Sequence, residues 1–530
     1  MFDFQRYPYS SERHVCFAKN GMVLTTQPLA SQAGLTALQK GGNAVDAALA
    51  TAVALTVVEP TSCGIGGDCF AIVWKDSKLY ALNSSGFAPS NINLDLLIKK
   101  GFKKMPRFGF EPITVPGVVW GWKELSSKFG KLKLSEVFAP AIDLALYGYP
   151  VSATISRLWE NFYNAISLQR GDEFKYWFEN FAKDGPPKPA SIFKNQSLAK
   201  TLEELALTNC KSFYDGRIAE KIVSFFKKYN GYITENDLRD FKGEWVEPLK
   251  LNYCGYDIVE MPPNSQGIVV LMALNILKHF DISRNSLYFH RCIESIKLSF
   301  EEALSSVGDI KGMEKNVSEL FNEEYGLSKA RTISDEAYLP KIQSTYCGNT
   351  VYLCTADKDG NMVSYIQSNY MGFGSGIVIE DTAIAMHNRG SNFVLERKHP
   401  NCIAPKKRPY HTIIPGFILK DNNAIGPFGV MGAFMQPQGH VQVLVNMINF
   451  LDNPQAALDA PRFQWLGGKK VLFENKIDKI IVDDLARRGH DVEVTSDSIN
   501  FGRGQIIIKL DNNVFAGGSE PRADGYPACY

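Results

Sequence analysis

Leu29, Ala33, Leu35 and Leu38 fall on one helical face, which predicts a helix over 29–40 ended by the Gly41-Gly42 pair. Asn43-Ala-Val-Asp46 then opens 47–58, a run of 12 residues that is apolar on every side except for Thr51 and Thr56. A helix without a polar face reads as a buried one. Residues 18–27 read as short strands before it, and Glu59-Pro60 stops it. Gly64-Ile-Gly-Gly-Asp68 leads into a strand over 70–75. This glycine run follows a helix and precedes a strand, the reverse of a phosphate-binding order, and has no Gly-Lys-Ser/Thr. Nucleotide binding is set aside.

Between 117 and 345 the spacing is mainly helical, as over 132–145, 197–207, 218–228 and 268–279, with charged, aromatic-rich connectors. From 350 onward the pattern changes. Residues 351–356, 362–367, 376–379 and 412–419 are short β-type runs broken by Asp-Lys-Asp-Gly, Gly-Phe-Gly-Ser-Gly and Lys-Asp-Asn-Asn. One helix is clear there, over 441–451, with Pro437 near its first turn. Helices in the middle and strands late predict sheets packed between helical layers, an α+β or layered α/β design.

Composition narrows the function. Lys+Arg 57 against Asp+Glu 56 leaves +1, so no basic excess draws a nucleic acid or an anionic membrane. The longest apolar run, at 12 residues, is too short to span a bilayer. The ten cysteines are scattered with no C-x-x-C, and the eight histidines form no H-E-x-x-H, so no disulfide scaffold, metal or cofactor is expected. Residues 1–15 have no apolar core after a basic start, so no secretory signal is read, and a cytoplasmic protein with free thiols is expected.

The chemistry-bearing passage is Cys347-Gly-Asn-Thr-Val-Tyr-Leu-Cys-Thr-Ala-Asp-Lys-Asp-Gly-Asn361. Taken alone it is a turn at Gly348-Asn349 and the first strand of a hairpin. Its company changes the reading. Gly41-Gly-Asn-Ala-Val-Asp-Ala-Ala48, Glu59-Pro60 with Gly64-Ile-Gly-Gly67, Pro116-Gly-Val118, Met261-Pro-Pro263 with Gly267, Thr350 before Asp357-Lys-Asp-Gly360, Ala460-Pro-Arg-Phe463 and Glu520-Pro-Arg522 stand in order along the chain. In these blocks the sequence resembles the γ-glutamyltranspeptidase family of N-terminal nucleophile hydrolases, nearly end to end.

The resemblance implies an α+β fold, the four-layer αββα N-terminal-nucleophile hydrolase sandwich, made as an inactive precursor. Self-cleavage at Asn349–Thr350 would give a large fragment, 1–349, and a small one, 350–530, which stay packed as one domain. Thr350 is then the nucleophile, and its freed α-amino group, with a reference pKa of about 7.7–8.0, the base. Ser368 matches a family threonine whose hydroxyl touches the nucleophile. Gly432-Ala-Phe-Met-Gln436 matches a glycine-rich loop whose backbone N–H groups form the oxyanion hole, which assigns that role to Met435 and Gln436. A helix-capping loop is the alternative reading of 432–440.

The match fails where a γ-glutamyl group would be gripped. Ser85 stands where the family has an arginine for the α-carboxylate, and Asn392 where it has an acidic residue for the α-amino group. His411 and Thr412 replace two serines. A new cation, Arg389, lies three residues before Asn392, which suggests that Arg389 with His411 binds a simpler anionic acyl group; the alternative is that Arg389 pairs with a structural carboxylate. The pattern is similar to the amidohydrolase and acylase branch. The expectation is a self-processing threonine amidohydrolase of small anionic acyl amides, with a small-molecule amide substrate, its own two fragments as partners, and a homodimer left open. A γ-glutamyl hydrolase or transpeptidase is the second reading, and a catalytically silent family member the third. No G-x-S-x-G elbow supports a serine hydrolase.

Overall fold

The computed structural model describes residues 12–342 and 348–530; Cys347 and the first 11 residues lie outside the described residues. Two seven-stranded sheets, antiparallel throughout, form the centre. One runs Ala528–Cys529, Gly21–Thr25, Val351–Asp357, Met362–Ser368, Asp68–Lys75, Lys78–Ser84, Glu244–Val246; the other runs Cys16–Ala18, Phe515–Ser519, Arg503–Lys509, Asn423–Met431, Gly416–Lys420, Tyr256–Glu260, Leu249–Tyr253. The chain is thus a mixed α+β protein.

Side-chain alternation decides what each sheet face touches. In Val351–Asp357, Val351 and Leu353 join the core under the helices, whereas Tyr352, Cys354 and Ala356 join a separate cluster with Val259, Phe417 and Ile507 of the other sheet. The two sheets therefore pack face to face. Helices Pro28–Gln39, Ala44–Val58 and Leu134–Tyr147 cover one outer face, and Gly267–Leu277, Ser286–Ser306 and Met435–Ile448 the other.

Helix Ala44–Val58 is buried at every residue, as its unbroken apolar run predicts. It begins at Asn43, whose side chain accepts from Val45 N and Asp46 N while Asp46 answers Asn43 N, a reciprocal cap. Burial on all sides follows from its position between Pro28–Gln39, Leu134–Tyr147 and the strands Val351–Asp357 and Met362–Ser368. The helix that starts with Met435 begins earlier than its apolar spacing predicts, because Pro437 fits within a first turn whose N–H groups lack i−4 partners. The short strands Leu249–Tyr253 and Tyr256–Glu260 lie in a stretch that reads as helical and were not foreseen; they form an edge of the second sheet.

Candidate active site

The hairpin places the first functional pair. Val351 opposes Gln367 and Ala356 opposes Met362, so the same register, extended by one residue, sets Thr350 beside Ser368. Both are fully buried, and their hydroxyl oxygens are 3.1 Å apart. Thr350 Oγ1 also lies 2.8 Å from the carbonyl oxygen of Asn349, the residue that precedes it, and Ser368 Oγ lies 3.0 Å from that same oxygen. Tyr370 N donates to Ser368 Oγ at 2.7 Å. Thr350 donating to Ser368, and Ser368 donating onward to the Asn349 carbonyl, uses each hydroxyl proton once. Asn349 is itself held on two sides, its N–H on Tyr370 O and its Nδ2 on Thr61 O. In an uncut chain the Thr350 nitrogen is an amide and no base.

Tyr370 connects this corner to a second one. Its ring lies under the Arg389 guanidinium, 4.2 Å from centroid to carbon, and its hydroxyl donates to Asn392 Oδ1 at 2.7 Å. Arg389 is fully buried. Its Nη1 donates to Thr412 Oγ1 at 2.6 Å, while Nε and Nη2 have no hydrogen-bond partner among the described residues. Burial lowers its pKa to about 10, which leaves it a cation at neutral pH. Gln266 ties the corner to the loop before the 435–448 helix, its Nε2 donating to Thr412 O at 2.5 Å and to Ala433 O at 2.8 Å.

The carboxylate behind Arg389 is Asp68. It accepts from Gly86 N and Gly117 N at 3.1 Å each and faces His411 Nε2 at 3.1 Å and His387 Nδ1 at 3.7 Å. Burial alone would raise its pKa, but the neighbouring histidines and Arg389 outweigh that and hold it below the usual carboxylate range. Burial, with Arg389 nearby, pushes His411 down to about 3, so the imidazole is neutral and donates to Asp68. His411 is therefore a prop for Asp68 and brings no second positive charge. Among the described residues Arg389 makes no ion pair: Asp68 acts on it through space.

The other expected residues divide. Thr412 sits on Arg389. Asn392 lies close by, but both ends of its amide are engaged, Oδ1 by Tyr370 and Nδ2 by Tyr410 O at 2.9 Å. Ser85 turns instead to Asn83 Oδ1 at 2.7 Å and Asn264 Nδ2 at 3.3 Å. Arg408 pairs with Glu244 at 3.0 Å and bonds Ser85 O, which makes it a structural cation. Met435 N and Gln436 N are bonded to Gly432 O and Ala433 O at 3.0 and 3.1 Å, closing the first helical turn. It is the Gln436 side chain that reaches Thr350 Oγ1, at 3.4 Å, with its Oε1 fixed by Ile414 N. Gly432 and Ala433, just before that turn, have φ of 140° and 52°, and Gly432 lines the same cavity as Asn349.

Asp68, Tyr370, Gln266 and His387 were missed by sequence reasoning. For Asp68 a signal existed in the glycine run before it. A Cβ on Gly66 would come within 2.4 Å of Ala385 O, and one on Gly67 within 2.8 Å of Ser368 O. The glycines let the chain lie against Ser368 and Ala385, and Asp68 is delivered by that approach. The dispersed histidines conceal one cluster as well. Among the described residues, His290, Glu294 and His490 are the one group close enough to share an ion. There Lys297 Nζ lies 2.8 Å from Glu294, and His290 and His490 hydrogen-bond to each other at 2.9 Å, while His490 Nδ1 has no hydrogen-bond partner among the described residues.

A buried hydroxyl pair set on a peptide carbonyl is an arrangement that attack on that carbonyl by a hydroxyl would need. The chain belongs to the gamma-glutamyltranspeptidase family, whose model matches residues 30–530. It is 34% identical to the glutathione hydrolase-like YwrD proenzyme of Bacillus subtilis, over 95% of this chain and 97% of that one. It is 31% identical to the oxamate amidohydrolase proenzyme of Klebsiella pneumoniae, over 96% and 98%. The crystal structure of a cephalosporin acylase from Bacillus halodurans superposes with a TM-score of 0.97 at 49% identity, covering 100% of this chain and 99% of that one. No helix among the described residues is long and apolar enough to cross a membrane.

Proposed function

We propose that the protein is a self-processing threonine amidohydrolase that cleaves amides of small anionic acyl groups. Its frame is read as the four-layer αββα N-terminal-nucleophile sandwich, supported by two facing sheets with helices on both outer faces. Its first substrate is itself. The Thr350 hydroxyl attacks the Asn349 carbonyl carbon; the C–O bond forms, the C–N bond breaks, and the proton passes to the leaving nitrogen. Water then opens the ester, leaving fragments 1–349 and 350–530 and a free α-amine on Thr350. That amine deprotonates the hydroxyl for the second reaction, in which the substrate acyl group is transferred to Thr350 and then to water. The Gly432–Ala433 turn, with the Gln436 side chain and Ser368, receives the oxyanion.

The observation that carries the acyl specificity is Arg389. Two buried N–H donors without partners cost stability unless a ligand supplies acceptors, and a carboxylate suits both donors and charge. A γ-glutamyl donor also needs an acceptor for its ammonium, and Asn392 is already engaged at both ends. The glutathione hydrolase-like relative keeps γ-glutamyl hydrolysis as the second reading. The nine described cysteines are all free, which fits a cytoplasmic site of action.

Intact-mass measurement of the purified protein beside Thr350→Ala, followed by hydrolysis of succinyl and γ-glutamyl 4-nitroanilides, tests this. The expected result is wild type split before Thr350, an uncut variant, and preference for the succinyl amide. Preference for the γ-glutamyl amide would install the second reading. A split chain that hydrolyses neither would point to a silent family member.

A further inference from the structure

We infer that the cavity beside Asn349 is the leaving-group subsite and that Arg107 makes it select amines carrying a carboxylate. This rests on the amidohydrolase reading above. During turnover the acyl group stays on Thr350 while the amine departs and water enters. Arg389 is fully buried, so the acyl end points inward and the amine must face the open side. On that side lies a cavity of about 260 Å³, walled by Asn349, Gly432, Leu158 and Phe162. A water occupies about 30 Å³ of liquid, so a ring-sized amine fits.

Arg107 stands on the wall of this cavity and is exposed. Its guanidinium carbon lies 4.8 Å from the Phe108 ring centroid and 5.8 Å from that of Phe162. Among the described residues the guanidinium makes no hydrogen bond or ion pair, so its flat face is supported by aromatic rings and its N–H edge is free for an anion. Its position is keyed to the acyl site, because Asn388, the residue before Arg389, donates to Arg107 O at 3.0 Å. The other arginine on the wall, Arg503, has its Nη1 on Glu59 at 3.4 Å. Two cations thus bracket the scissile bond, a buried one for the acyl group and an open one for the amine.

The test uses the mature, two-fragment protein and two succinyl anilides, one of 4-aminobenzoic acid and one of its methyl ester. Wild type is expected to show a KM about 10-fold lower for the acid than for the ester. Arg107→Ala should collapse that ratio to about 1 and Arg107→Lys restore part of it. Binding of free 4-aminobenzoate, followed by NMR, is measured in parallel and needs no turnover. Binding to wild type but not to Arg107→Ala supports the subsite even if neither anilide is hydrolysed, in which case the amidohydrolase reading alone falls. Turnover with equal KM values in wild type overturns the subsite. So does an Arg107→Ala effect confined to self-cleavage, which would assign Arg107 to the new Asn349 terminus.

Discussion

Ser368 has a full set of partners: its oxygen accepts from Tyr370 N and Thr350 Oγ1, and its proton goes to the Asn349 carbonyl. Arg389, whose guanidinium lies over the Tyr370 ring, has one bonded nitrogen and two that are unpartnered among the described residues, all out of water. The first corner comes from two neighbouring strands joined by one tight turn, whereas the second is collected from around Asp68, His387, His411 and Gln266. Under the proposed function the difference separates two tasks. A nucleophile that must attack its own backbone needs its geometry complete before any ligand arrives. An anion site keeps donors unsatisfied so that the ligand completes it, at a cost in stability of about 1–3 kcal/mol for each buried group.

The largest expected effect concerns the charge that makes the second corner tolerable. Asp68→Asn leaves Arg389 buried without its counter-charge, and the protein should lose roughly 3–5 kcal/mol of stability, read from urea unfolding. The folded pKa of Asp68 is depressed, so its contribution is fully present above the unfolded value of about 3.9 and is lost as pH falls through the lower folded value. The gap between wild type and variant should therefore hold at pH 7 and 5 and close only below about pH 4. A gap that closes by pH 6 would mean that Asp68 is not the ionised partner.

Ser368→Ala should act on chemistry instead. It removes the donor to the Asn349 carbonyl and should slow self-cleavage by about 10²–10³-fold, the range for losing one donor to a developing oxyanion. Ser368→Thr should keep most of the rate, followed by timed intact-mass measurements. Arg389→Met sharpens the contrast further. KM for an anionic acyl amide should rise about 10–100-fold, while the unfolding midpoint stays level or rises because two unpaired buried donors are gone. A large fall in stability would return Arg389 to a structural role. The smallest effect is in pH: kcat/KM of the mature enzyme should rise several-fold between about pH 7 and 9 as the Thr350 α-amine, with a reference pKa of about 7.7–8.0, loses its proton.

The two corners were also unequally legible. The Thr350–Ser368 pair was legible only through the family resemblance; the hairpin register of Val351 on Gln367 supplies the physical reason the two residues meet. The buried helix Ala44–Val58 was readable directly, because an all-apolar helix has one stable environment. Arg389 stood out as a cation where the family pattern has none, but its charge state and partners did not. His411 was expected to join Arg389 in holding the acyl anion and stands as a neutral imidazole on Asp68, because burial beside Arg389 disfavours its charged form. Gln436 was expected to act through its backbone and faces Thr350 with its side chain, since the backbone N–H closes a helical turn.

By itself the chain's order of residues determined what is local or periodic: that a β-type run follows Thr350 and that the helix over 47–58 is buried. Only the tertiary structure decided which charges meet. Asp68 and His411 are 343 positions apart, and whether a buried carboxylate pairs with a histidine or an arginine depends on contacts and desolvation that no spacing encodes. Hydrogen bonding within a hairpin is set by a period of two, whereas a buried charge is set by everything packed around it.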